Sequence, residues 1–195
     1  MQSTTYDRLY QIAEPQAGYF TTAQAGAVGV DRNRLSDYAA AGRLERVRHG
    51  IYRLVSFPRV PHEDLFVAWL ATGPDSVISH DSALAIYELS DALPARIHVT
   101  VPRTASRRRP GVRLHTGRIA PDEITHYGAL RMTTVARTIA DVASDGLADD
   151  LVIQAVQEAV SRGLALAEEL LAAAAQRGPA VTRVVQHALA GEARP

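Results

Sequence analysis

The chain has 195 residues, 47% of them hydrophobic and 22% charged, with 21 basic and 21 acidic side chains. That length and balance fit a soluble globular protein of one domain or two small ones, each with room for a core. It contains no cysteine, and every basic residue is arginine, so disulfides, thiolate zinc sites, cysteine nucleophiles, Walker A loops, kinase-type phosphate lysines and Schiff bases are excluded.

With no net charge, nucleic-acid binding would have to come from local charge. Residues 1–58 carry seven arginines against five acids, and residues 59–118 carry eight against six. Residues 119–195 carry six against ten, which makes the last third a poor phosphate-facing surface. The opening MQSTTYDRLYQ is too polar for a signal peptide, and the longest apolar run, Leu65 to Ala71, is too short to span a bilayer. A cytoplasmic protein with no membrane partner is expected.

In chain order, Thr5 to Glu14 predicts a first helix, capped by Thr4 or Thr5 and ended by Pro15, with Leu9, Ile12 and Ala13 facing inward. Tyr19 and Phe20 supply apolar anchors. TAQAGAVG reads as a short helix capped by Thr21 or Thr22 and stopped at Gly29. Asp31 then caps a helix running to Ala41, in which Leu35, Tyr38 and Ala39 share a core-facing side. Arg32, Asn33, Arg34, Ser36 and Asp37 fall mostly outside it, as in a recognition helix.

LERVRHGIYRL follows as a hairpin turning at His49-Gly50, with Arg46, Arg48 and Arg53 on its arms and Val47, Ile51 and Leu54 as anchors. Helix, turn, helix and basic hairpin in this order predict a winged helix-turn-helix that binds DNA. A surface hairpin with merely solvated arginines is the plainer reading. The prolines of Phe57 to Pro61 mark a linker, giving a DNA-binding domain over 1–57 and a second domain over 62–195.

In the second part, 62–71 predicts a helix, Val77-Ile78 a short strand, and Ser79 a helix start running to about Leu89. Ile97 to Val101 and Val112 to Thr116 alternate as strands. Met132 opens a helix capped by Thr133 or Thr134, with Ala136, Ile139, Ala140 and Ala143 on one face. Three alanine-rich helices follow over 148–161, 165–176 and 179–190. The fold class expected is α+β: a winged helix-turn-helix, then a mixed α/β domain with an alanine-rich helical end.

Candidate chemistry is sparse. Ser79-His80-Asp81-Ser82 invites a hydrolase reading, but neighbours at a helix start diverge and cannot form a triad among themselves. Ser79 as cap and Asp81 in the first turn explain the motif without catalysis. Asp122, Glu123 and Asp141 lack the lysine of a restriction-type nuclease core, and Arg137 and Asp141 are spaced as an i,i+4 pair. The seven histidines show no HExxH or other close ligand spacing, so neither metal nor cofactor is expected. From Arg96 to Arg118 there are seven arginines and no acid. Arg103, Arg107, Arg108, Arg109 and Arg113 in this stretch read as a solvated loop, a second DNA patch or a docking surface for an acidic protein.

The order of LERVRHGIYRL, VISHDSALAIYELSD, ARIHVTVP and LRMTTVARTIADVA resembles the AbiEi family, antitoxins of type IV abortive-infection toxin–antitoxin systems. The resemblance implies a non-enzymatic protein whose winged helix binds inverted repeats in its own promoter as an autorepressor. It also implies that the C-terminal domain counteracts a nucleotidyltransferase-type toxin, directly or without a stable complex. Paired half-sites would place two copies on DNA. The positions carried over are Arg32, Asn33, Arg34 and Ser36 for the recognition helix and Arg46, Arg48 and Arg53 for the wing. The alternatives are a stand-alone winged-helix transcriptional regulator, a module that binds a toxin directly, and a small hydrolase using His80.

Overall fold

A computed structural model describes residues 4–102 and 109–192. It is a mixed α+β protein that divides into two compact units, one of residues 1–74 with 126–130 and one of 75–125 with 131–195.

In the first unit, α1 (Thr5–Ala13) starts in a reciprocal capping box between Thr4 and Asp7. A single 3₁₀ turn through Pro15 ends it, and the chain reverses at Gly18. Gly18 has φ +84°, and a Cβ there would lie 2.6 Å from Cβ of Phe57, so both conformation and space call for glycine. β1 (Tyr19–Thr21) runs into α2 (Thr22–Ala27), whose start is a second capping box of Thr21 with Gln24. α3 (Arg32–Ala40) is capped by Asp31, whose carboxylate accepts from the backbone N–H of Arg34 at 2.8 Å.

β2 (Leu44–Arg48) and β3 (Ile51–Leu54) form the expected hairpin, with an irregularity between Arg46 and Arg48. Tyr19 and Phe20, anticipated only as anchors, form a strand with the cap residue Thr21, so the sheet is antiparallel with order β1-β3-β2. Leu9, Ala13, Phe20, Ala25, Val30, Leu35, Leu44 and Leu54 make its core. α4 (Glu63–Thr72) belongs to the same unit and packs on β1 and β3.

The second unit contains most of a five-stranded sheet of order β6-β5-β4-β8-β7. Its strands are β4 (Val77–Ile78), β5 (Ile97–Val101), β6 (Val112–Thr116), β7 (Ile124–Tyr127) and β8 (Leu130–Thr133). β5 is antiparallel to β4 and parallel to β6, and β4 meets β8 in parallel through Ile78 and Met132. The helix expected to open at Met132 instead begins at Val135. Leu130, Met132 and Thr133 are buried, Arg131 is half-buried, and pairing of Met132 with Ile78 of β4 holds 130–133 as a strand.

α5 (His80–Tyr87), α6 (Val135–Ser144), α7 (Asp149–Ser161), α8 (Ala167–Ala175) and α9 (Pro179–Glu192) share a core of small and branched side chains, including Leu84, Ile139, Val152, Val156, Leu170 and Val185. Alanines at 155, 159, 174 and 188 lie in this core and let the helices approach closely. Arg137 and Asp141 pair as their spacing predicts, at 2.8 Å, and Arg177 joins the same carboxylate from the turn before α9. Among the described residues no helix is long and apolar enough to cross a membrane.

Candidate functional site

The first unit buries most of its large apolar residues and leaves most of its candidate contact residues in solvent. On α3, Leu35 is fully buried, while Arg32, Asn33, Arg34 and Ser36 are exposed. Arg34 reaches Thr5 Oγ1 at 3.4 Å, a long contact that leaves its guanidinium at the surface. Arg46 and Arg48 of the hairpin are exposed, and Arg46 Nη2 lies 3.2 Å from Nδ1 of His49. Arg43 lies over the Tyr6 ring at 4.0 Å, a cation–π contact that fixes it beside α1.

Arg53 differs from the expectation. It is 4% exposed because β3 is the central strand, with Tyr19 and Glu45 as its partners on either side. Its guanidinium donates to the carbonyl of Phe57 and faces the Glu45 carboxylate at 4.0 Å. It ties the hairpin to the following segment, and its burial sets it apart from Arg46 and Arg48, with which it was expected to contact DNA.

The arginine-rich stretch is only partly described. Arg103, Arg107 and Arg108 lie outside the described residues. Arg109 is half-buried in an isolated bridge with Val112, and exposed Arg113 pairs with Asp145 at 3.0 Å.

A cluster that the sequence reading missed lies on one face of the β5–β6 pair. Register places His98 beside Arg113 and Thr100 beside His115, all four on the same side. His98 Nδ1 and His115 Nε2 are 3.3 Å apart, and His80 stacks on His115 with ring centroids at 3.5 Å. Ser79 Oγ contacts Thr100 Oγ1 at 2.8 Å and His80 Nδ1 at 2.9 Å. Ser79 thus stands at the cap position of α5 without its hydroxyl capping the helix. The Asp81 carboxylate lies 3.5 Å from His98 Nε2 and so turns away from His80. With Ser79 fully buried and Asp81 on another imidazole, SHDS is not a Ser-His-Asp relay.

Burial lowers all three imidazoles, His80 to about 3, with the neighbouring His115 a second cause there. They are neutral at pH 7. His80 also adopts φ +52°, rare for a non-glycine residue. Close sequence spacing could not reveal this group, because only the parallel register of two strands brings it together.

Short helices and a three-stranded sheet make the first unit a small α+β module with arginines exposed on α3 and the hairpin. Residues 7–55 match the family model described as transcriptional regulator, AbiEi antitoxin. The resemblance read from the motifs is therefore borne out over that segment. Among solved structures, the chain is similar to the RV2827C protein from Mycobacterium tuberculosis. The TM-score is 0.57 at 13% identity, covering 98% of this chain and 78% of that one. At that identity the likeness concerns the fold alone. No curated protein sequence matches the chain.

Proposed function

We propose that this protein is an AbiEi-type antitoxin and autorepressor whose first unit is a winged helix-turn-helix. In this reading, α3 enters the major groove of promoter DNA at inverted repeats, and the β2–β3 hairpin lies along the phosphate backbone. The observation that carries it is the exposure of Arg32, Asn33, Arg34 and Ser36 on α3, with Arg46 and Arg48 on the hairpin, within the segment that matches the family. Residues 1–57 would bind DNA, and residues 62–195 would counter a nucleotidyltransferase-type toxin. The protein would act without catalysis in the cytoplasm, two copies to an operator.

Binding to the protein's own promoter, measured against scrambled DNA over a salt series, tests the first activity. Three phosphate-contacting arginines per copy, Arg32, Arg46 and Arg48, give a log–log slope of about −2.7 per copy. Equal affinity for promoter and scrambled DNA would defeat specific repression. Growth rescue from the neighbouring toxin tests the second activity. Full-length protein with Arg32, Arg34, Arg46 and Arg48 all replaced by alanine should rescue growth while failing to repress. Loss of both activities together would instead tie neutralisation to DNA binding.

A further inference from the structure

We propose that His98, His115 and Asp145 form a binding site for one zinc ion, with Asp81 orienting His98 from behind. Ligand atoms of the three residues all lie within 4.8 Å of one another. Two nitrogens, each about 2.0–2.1 Å from a tetrahedral zinc, stand about 3.3 Å apart. His98 Nδ1 and His115 Nε2 are separated by 3.3 Å.

The surroundings match the same geometry. If Nδ1 of His98 takes the metal, its proton sits on Nε2, the nitrogen that faces the Asp81 carboxylate at 3.5 Å. That is the carboxylate–histidine–metal arrangement that sets the tautomer and fixes the ring. His98 is 3% exposed on a rigid strand, and the stack of His80 on His115 restricts the second ring. Asp145, at the end of α6, brings the negative charge. Arg113 bonds its Oδ1 at 3.0 Å, leaving Oδ2 for the ion.

Two imidazoles and a carboxylate suit zinc better than magnesium or calcium, which take oxygen donors. Three protein ligands leave a fourth position for water or an exogenous donor, as in reactive zinc sites and unlike closed structural ones. Without metal, the two nitrogens would share one proton as an N–H···N bond, so the site has two self-consistent states.

The test uses tag-free full-length protein stripped with a chelator, then titrated with zinc by calorimetry and assayed for bound metal. One zinc per chain is expected, with a rise in melting temperature. His115→Gln and Asp145→Asn should each abolish stoichiometric binding, and Asp81→Asn should weaken it by about 10–100-fold. His187→Ala, on exposed α9 surface, should leave binding unchanged. His98 is buried enough that its replacement could unfold the unit, so the more accessible His115 and Asp145 carry the test. Binding well below one equivalent would overturn the proposal. So would stoichiometric binding that survives in folded His115→Gln and Asp145→Asn proteins.

Discussion

Arginines of one chain type divide into distinct jobs according to what surrounds them. Arg34 opens the exposed face of α3 beside its Asp31 cap, where a bidentate guanidinium can meet a base edge. Arg34→Ala should cost about 1–3 kcal/mol in operator binding and relax specificity at one position. Arg48, on the hairpin, should act on phosphate. Arg48→Ala should weaken binding evenly across sequences and flatten the salt slope by about 1. Competition with operators mutated one base at a time separates the two, and identical profiles would refute the division. Arg53 belongs to neither group. Its replacement by alanine should cost about 2 kcal/mol of folding stability through lost packing and a lost charged hydrogen bond. Urea unfolding checks this, and the salt slope of DNA binding should stay unchanged.

At the level of elements, the start of α4 is held by one carboxylate. Glu63 accepts from Arg59 at 2.6 Å, from the Tyr19 hydroxyl at 2.8 Å and from the Val60 N–H at 2.9 Å. Burial by itself would raise its pKa, but these bonds outweigh burial and hold the carboxyl below its ordinary value. Burial, reinforced by Glu63, pushes the Tyr19 phenol up to about 12, so it remains a donor at any working pH. Around the ordinary glutamate range the unfolded chain binds the proton more readily than the folded one, so stability rises with pH there. The contribution is complete above that range and is lost as pH falls below it, through the lowered value of the folded protein. Glu63→Gln should therefore cost about 1 kcal/mol at pH 7. Its deficit against wild type should shrink as the solution is acidified below about 4.5. A deficit independent of pH would remove the carboxylate from the account.

Elements marked by local chemistry were readable in the sequence, and those made by distant pairing were not. Thr4, Asp31 and Gly50 announce two helix starts and a turn through their own side chain or backbone. β1 has three residues and no room for an alternation to show. β8 runs into α6 with a single residue, Thr134, between them, so helix and strand patterns merge. The same limit hid the burial of Arg53, which follows from β1 making β3 central, and the histidine cluster, which needs the β5–β6 register.

Across the second unit, buried charge joins elements that apolar packing alone would leave interchangeable. Asp141, only 4% exposed, holds Arg137 of its own helix and Arg177 from the turn before α9, and Arg137 also meets Glu123 at 2.7 Å. In a core this rich in alanine, such a network fixes which turn of one helix faces which neighbour. Asp141→Ala leaves two cations without their shared carboxylate and should cost about 3 kcal/mol. Calorimetric melting would show it, and a change within error would mean that solvent replaces the lost partner.

The centre of the five-stranded sheet is its shortest member. β4 is two residues long, bound to β5 through two residue pairs and to β8 through one, while β5 and β6 pair over five. A ladder that narrow in the middle divides cooperativity. In native-state hydrogen exchange, the β5–β6 amides should be released together and last among the strands. Those linking β4 to β8 should exchange first, through openings smaller than global unfolding. Uniform release across all five strands would show that the helices, and not the ladder, set how the sheet comes apart.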